Sequence, residues 1–294
     1  MARSEVINAD PFCSVDIMPL EQAPQRGVIR LKDEHGDWQP LEGVSAIHNV
    51  DSYKLVANSR VYQLAQDVLT RSGFDFDVIP ENEHSKANRL AWDGRKFSAK
   101  WIIPSVSGDV SDGGTRSKLH LGVEALNSYD GSYKVGIQFY MMNMACFNQF
   151  YSGHLLGGFV FGHYDRAGSD LDTDIQKATE MISGQAETFA RALPRIQALS
   201  HTKLSNGKSS LERFLEINLD TLEDIWRPTW DSHILREIHH RGITQKMGRP
   251  QVAHSHNLWG LLNGYSAVAT HVLGGFHGVG ISRLVTDKFL EMAV

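Results

Sequence analysis

Apolar and polar positions change their period twice along this chain, and the changes divide it. Up to about residue 28 no period holds, and Pro11, Pro19 and Pro24 interrupt the pattern. This predicts an irregular N-terminal arm that can dock on a neighbour in an oligomer. From Trp38 the pattern tightens. Val44 to Asn49 and Tyr53 to Ala57 are short β-leaning runs around the polar turn Asn49 to Ser52. Val61, Leu64, Ala65, Val68 and Leu69 then recur at helical spacing, with Asn58 or Ser59 as cap and Gly73 as stop. Phe74, Phe76 and Val78 alternate with acids, as a half-buried strand does.

The middle of the chain favours strands. Phe97 to Pro104 predicts one, and Ser105 to Arg116, rich in Gly, Ser and Asp, predicts a mobile loop. Lys118 to Leu126 and Tyr133 to Met144 predict two more, joined through Asn127 to Ser132, where Asp130-Gly131 suits a tight hairpin turn. After residue 170 the period turns helical. Thr173 or Asp174 caps a stripe of Ile175, Ala178, Ile182, Ala186, Phe189, Ala190 and Leu193. Ser209 and Glu212 form a capping box ahead of a helix that carries Leu211, Phe214, Leu215, Leu219, Leu222 and Trp226. Ser232 to Arg241, Asn257 to His271 and Ser282 to Met292 predict shorter helices, and Gly274-Gly275 stops the middle one. The fold class is therefore α+β: an antiparallel β-meander with helices grouped in the C-terminal half. An arm over 1–28 precedes a single domain over 29–294, β-rich in 38–150 and helical in 170–294.

Composition narrows the function classes. The 294 residues suffice for a substantial core, and the formal charge of -5 means that any nucleic-acid contact comes from a local basic surface. No apolar run approaches the ~18 residues that span a bilayer, and no secretory leader pattern opens the chain. Cys13 and Cys146 make neither a disulfide framework nor a zinc motif. These features predict a reduced, cytoplasmic protein without membrane or cofactor.

Two basic stretches are the candidate nucleic-acid contacts. In the first, Lys86, Arg89, Arg95, Lys96 and Lys100 interleave with Trp92 and Trp101, the pattern that lets bases stack while cations hold phosphates. In the second, Arg236, Arg241, Lys246 and Arg249 face only Glu237, in a segment loosened by Gly242 and Gly248. The ordinary alternative is a tryptophan core under a solvated charged face. Arg89, Arg95, Lys96, Lys100, Trp101, Arg236, Arg241, Lys246 and Arg249 are the expected DNA-binding residues.

Other candidates are weaker. His239, His240, His254, His256, His271 and His277 crowd the C-terminal region, and imidazole is a common metal ligand, but no His-x-x-x-His pair or cysteine accompanies them. Surface polarity and helix capping are the alternative. Asp170, Asp172 and Asp174 open like a calcium loop, yet Ile175 replaces the turn glycine and Met181 the closing glutamate, so acidic helix capping fits better. The glycines of Leu273 to Gly280 lack the Lys-Ser/Thr of a phosphate loop and predict a tight connector.

Several short motifs carry a family resemblance. Tyr53 to Asn58, Asn127 to Ser132 leading into Cys146-Phe147-Asn148, and Leu258 to Ser266 ending at His271 resemble, in order, the phage- and plasmid-borne family called domain of unknown function nine-three-two. Gly264 stands where that family's pattern has Ala. The resemblance implies a mobile-element setting and no established reaction. The meander followed by a long helix also resembles the core of phage single-strand annealing proteins, which form rings on DNA. The expected function is thus an ATP-independent, homo-oligomeric single-stranded DNA-binding or annealing protein of phage or plasmid recombination. Two alternatives stand beside it. One is a metal-dependent enzyme on nucleic acid, using His239, His240, His254 or His256 with Asp231. The other is a self-assembling structural or host-interaction protein.

Overall fold

The computed structural model describes residues 10–42, 44, 47–51, 53, 55–79, 90–112, 115–132, 134–153, 156–161, 171–202, 257–273 and 275–292. Their architecture is α+β, with antiparallel sheets and helices gathered in the C-terminal half.

The expected irregular arm is corrected from Val15 onward. Strands β1 (Val15–Leu20) and β2 (Ala23–Lys32) pair as a hairpin, and β3 (Trp38–Pro40) adds to β2. The strands tolerate their prolines because Pro19 and Pro24 sit beside the turn, where the register shifts and a ladder donor is dispensable. Asp16 accepts Arg30 across the hairpin at 2.5 Å. Ile29, Leu31, Leu41 and Ile47 bury together with Tyr129, which reaches over from the larger sheet. Ile47 makes only an isolated bridge to Gly27, so the expected strand over Val44 to Asn49 is absent among the described residues there.

Helix α1 (Asn58–Arg71) forms where its apolar spacing predicts, and Gly73 follows in the left-handed region. Its cap differs from expectation. Ala57 is the N-cap, with no side-chain cap bond. Asn58 instead donates to the Pro11 carbonyl and accepts from Asn127.

The larger sheet runs β10-β8-β7-β6-β4, with β5 (Leu90–Trp92) also on β6 and β9 (Gln149–Phe150) also on β8. Its edge strands are β4 (Asp77–Val78) and β10 (Gly158–Phe161), and its centre is the meander β6 (Lys96–Asp112), β7 (Thr115–Ser128) and β8 (Val135–Asn143). Gly131 has φ 73° in the β7–β8 turn, where the Asp-Gly pair demands it.

Much of the expected mobile loop over Ser105 to Arg116 is the distal half of the β6–β7 hairpin. The ladder resumes at Ser107↔His120 after a break beyond Ile103 and runs to Asp112↔Thr115. The small polar residues there serve close packing. A Cβ on Gly108 would strike Leu193 of helix α2 (Leu171–His201), and the Gln197 amide bonds both the N–H and the C=O of Ser111. Helix α2 starts ahead of the expected cap at Thr173 or Asp174.

Every residue of β8 is buried, which requires cover on both faces of the sheet. One face carries Phe97, Ala99, Trp101, Ile103, Leu121 and Val123 against α1, α2, α3 (Leu258–Ala267) and α4 (Gly275–Met292). The other holds Ile79, Ile102, Tyr140, Met142 and Tyr151 with Val279 of α4. Between α3 and α4 the chain takes a π-helical course over Val268–Leu273. The expected glycine connector is helical from Gly275, and a Cβ on Gly278 would collide with the Ala269 carbonyl. The expected helices over Ser209 to Trp226 and Ser232 to Arg241 lie outside the described residues.

Candidate functional site

The first basic–aromatic stretch splits when it folds. Trp101 is 1% exposed and packs in the main core against Tyr62, so it cannot stack on a base. Lys100 is 4% exposed and points to the opposite face, as its odd-even position on β6 dictates. Both expectations are corrected. Lys96 is half-buried and ion-pairs with Asp130 at 3.8 Å. Arg95 lies half-buried in the turn entering β6, with its carbonyl accepting the Tyr129 N–H. Arg89, Arg236, Arg241, Lys246 and Arg249 lie outside the described residues, as do Asp231, His239, His240, His254 and His256. Among the described residues no group of three His, Cys, Asp or Glu is placed to hold a metal.

A buried polar seam takes the place of the expected lysine–tryptophan surface. Register brings Lys100 opposite Glu124, and Glu124 opposite Gln138. The Glu124 carboxylate receives Ser98 Oγ, Gln138 Nε2 at 2.6 Å and Tyr151 OH at 2.7 Å, with Lys100 Nζ at 3.5 Å. Lys100 also donates to Gln149 Oε1 at 2.8 Å. The ion pair is therefore compensated by hydrogen bonds, without which two buried charges would cost several kcal/mol. Burial first, and Glu124 second, push the Tyr151 and Tyr140 phenols well up, so both stay protonated. The Arg283 guanidinium of α4 continues the row to Gln138 Oε1 at 2.9 Å.

The seam runs on into a turn that joins two motifs singled out in the sequence. Cys146, Phe147 and Asn148 connect β8 to β9. Phe147 has φ 58°, the one non-glycine residue in the left-handed region among those described, a conformation of order 1 kcal/mol or more in cost. Backbone bonds from Phe147 N–H to Asn143 O and from Asn143 N–H to Asn148 O impose it. Asn148 Nδ2 then donates to the Asn263 carbonyl at 3.0 Å, and Asn143 Nδ2 to Asn263 Oδ1 at 3.2 Å. His271 Nε2 faces Asn148 Oδ1 at 3.0 Å and the Cys146 carbonyl at 3.1 Å. Two acceptors there assign the ring proton to Nε2. In the π-helical segment Thr270 stands next to His271, and its Oγ1 accepts the Gln149 N–H at 3.0 Å.

Cys146, Asn148 and His271 have the residue types of a thiol hydrolase, but not its geometry. The Cys146 sulfur sits 3.8 Å from Asn263 Oδ1, an acceptor that favours a thiol donating its hydrogen. Activated cysteines are thiolates in electropositive, partly exposed settings. Cys146 is buried, and the His271 Nε2 contact goes to its carbonyl. The arrangement locks α3 and the π segment onto β8 and β9. A parallel lock at the other end uses Asn127, whose Nδ2 donates to Val56 O at 2.9 Å and Asn58 Oδ1 at 2.8 Å.

Sequence reasoning missed the seam because it treated Lys100 as a surface cation. A signal existed: β8, with nine residues dominated by apolar types, predicts a strand buried on both faces, so a polar residue paired beside it must be buried and bonded.

No protein-family model, curated protein or solved structure matches the chain. The resemblance to a mobile-element family rests on the motifs alone.

Proposed function

We propose that the protein binds single-stranded DNA and promotes annealing as a homo-oligomer, without nucleotide. The supporting observation is the order and packing of the core. The three-strand meander β6–β7–β8 is backed by the 31-residue helix α2, an order that resembles, at the level of fold, the core of phage single-strand annealing proteins. This is an argument at the level of fold.

The contact surface differs from the one the sequence suggested. The β5–β6 and β7–β8 turns meet at one end of the sheet, where the Tyr129 N–H donates to the Arg95 carbonyl at 2.8 Å. Arg95 and Trp92 are half-buried there, and Lys134 is exposed. Trp92 stands edge-on to Tyr129 with centroids 6.1 Å apart. This end therefore offers cations beside an aromatic ring, the combination that holds a strand by its phosphates and one base. Lys96 neutralises Asp130 and contributes less. Among the described residues no helix is long and apolar enough to cross a membrane.

The test is titration of a labelled single-stranded oligonucleotide at two salt concentrations, with wild type and Arg95→Ala/Lys134→Ala. The proposal expects salt-sensitive binding that the double variant weakens.

A further inference from the structure

Lys100, Glu124 and Gln149 bring an amine, a carboxyl group and a carboxamide together in one dry site, with the three residues only 4%, 1% and 3% exposed. Lys100 Nζ donates to Gln149 Oε1 at 2.8 Å and lies 3.5 Å from Glu124 Oε1. Tyr151 OH bridges the other two, at 2.7 Å from Glu124 Oε2 and 3.1 Å from Gln149 Oε1. Ser98 and Gln138 donate to Glu124 and hold it opposite the amine. These contacts turn the Gln149 carbonyl toward Lys100 and leave Gln149 Nε2 without a hydrogen-bond partner. Gln149 and Lys100 also line a cavity with room for about one water-sized body.

An amine and a carboxamide held in contact react as parts of one molecule, which removes the entropy cost of bringing them together. Attack requires the neutral amine, and burial disfavours the separated charges of the pair. We propose that Lys100 and Gln149 join through an intramolecular amide bond, with Glu124 carrying the protons. Glu124 takes one proton from the Lys100 ammonium, and the freed lone pair of Nζ attacks Gln149 Cδ. Negative charge develops on Oε1, where Tyr151 OH turns to donate once Glu124 is neutral. Glu124 then gives its proton to Nε2 and receives a second one from Nζ. The Cδ–Nε2 bond breaks, and ammonia leaves through the cavity. The products are a secondary amide, one ammonia and the neutral acid of Glu124, so atoms and charge balance without any co-reactant. Two buried charges disappear, and the unpartnered Nε2 is the atom that departs. The ion pair is the state that precedes the bond. The reaction occurs once per chain, so slow proton transfer suffices. The bond stitches the two-residue strand β9 to β6.

Intact-mass spectrometry of the denatured full chain tests this. The expected mass, after allowance for the initiator methionine, is that of the sequence less one ammonia. Succinimides at Asn206-Gly207 or Asn263-Gly264 would lose the same mass, so a tryptic digest must locate the loss. The expected digest contains one branched peptide that joins the segments around Lys100 and Gln149, with no cleavage after Lys100. Glu124→Gln should show the full mass of its own sequence, and formation of the branched peptide in that variant overturns the role given to Glu124. Wild type at full sequence mass, or ammonia lost at an Asn-Gly pair with Lys100 free, overturns the proposal. The wild-type result does not depend on whether any variant folds.

Discussion

Asn148 Nδ2 donates to the backbone carbonyl of Asn263 at 3.0 Å, across 115 residues of sequence. The strained turn after β8 is thereby fastened to the buried face of α3. Asn263 is wholly buried and also receives Asn143 through its side-chain oxygen, while its own Nδ2 caps the Trp259 carbonyl at 2.9 Å. One residue thus holds together the strand, the turn and the helix.

Removing that residue's polarity should be costly. Asn263→Leu takes the acceptor from the Asn143 amide and the side-chain donor from the Trp259 carbonyl in a site without solvent, while the backbone bond from Asn148 stays, and it is expected to destabilise the fold by about 2–4 kcal/mol. Urea denaturation monitored by tryptophan fluorescence measures the change. A loss under about 1 kcal/mol would show that these bonds are dispensable.

The Lys100–Glu124 pair predicts a non-additive cycle. Lys100→Met alone strands a buried carboxylate and should cost about 3–5 kcal/mol, while Lys100→Met with Glu124→Leu recovers much of that loss. Equal or greater destabilisation in the double variant would contradict the assignment of the pair as the partner-dependent element of the seam.

His120 gives a pH signature. It sits where the β6–β7 register breaks and is 6% exposed, with no partner for Nδ1. Burial first, then the Lys118 charge, lower its pKa from the ordinary 6.5, against opposing pulls from the Ile103 backbone and Asp77. The unfolded chain therefore binds the proton more readily than the folded one. The stability this provides is fully present above pH 6.5 and declines as pH falls from there toward the lower folded value. Denaturation midpoints across that window should show the slope in wild type and a flatter line in His120→Gln. An unchanged slope would remove His120 as its source.

Elements with strong local signals were legible. The apolar spacing of α1, the Asp130-Gly131 turn and the stripe of α2 all formed where expected. What escaped depended on distant partners. Ser105 to Asp112 looks like a loop because its small residues accommodate Leu193 and Gln197 of α2, which local composition does not reveal. Lys100 and Trp101 look like a surface pair because alternation predicts which face a residue takes, but not that both faces are covered. The motifs that suggested a family did mark positions that meet in space: Asn58 with Asn127, and Asn148 with Asn263 and His271. Their observed role is to lock the fold, and the shape of that lock was not readable from either motif alone.

Fluorescence anisotropy is the decisive measurement for the proposed binding of single-stranded DNA. A labelled single-stranded oligonucleotide is titrated at low and near-physiological salt, without metal or nucleotide. The expected result is saturable binding that weakens with salt, with a log–log slope of roughly -0.7 per phosphate contacted, and a shallower slope in Arg95→Ala/Lys134→Ala. Absence of binding at low salt, or an affinity indifferent to salt, would contradict it.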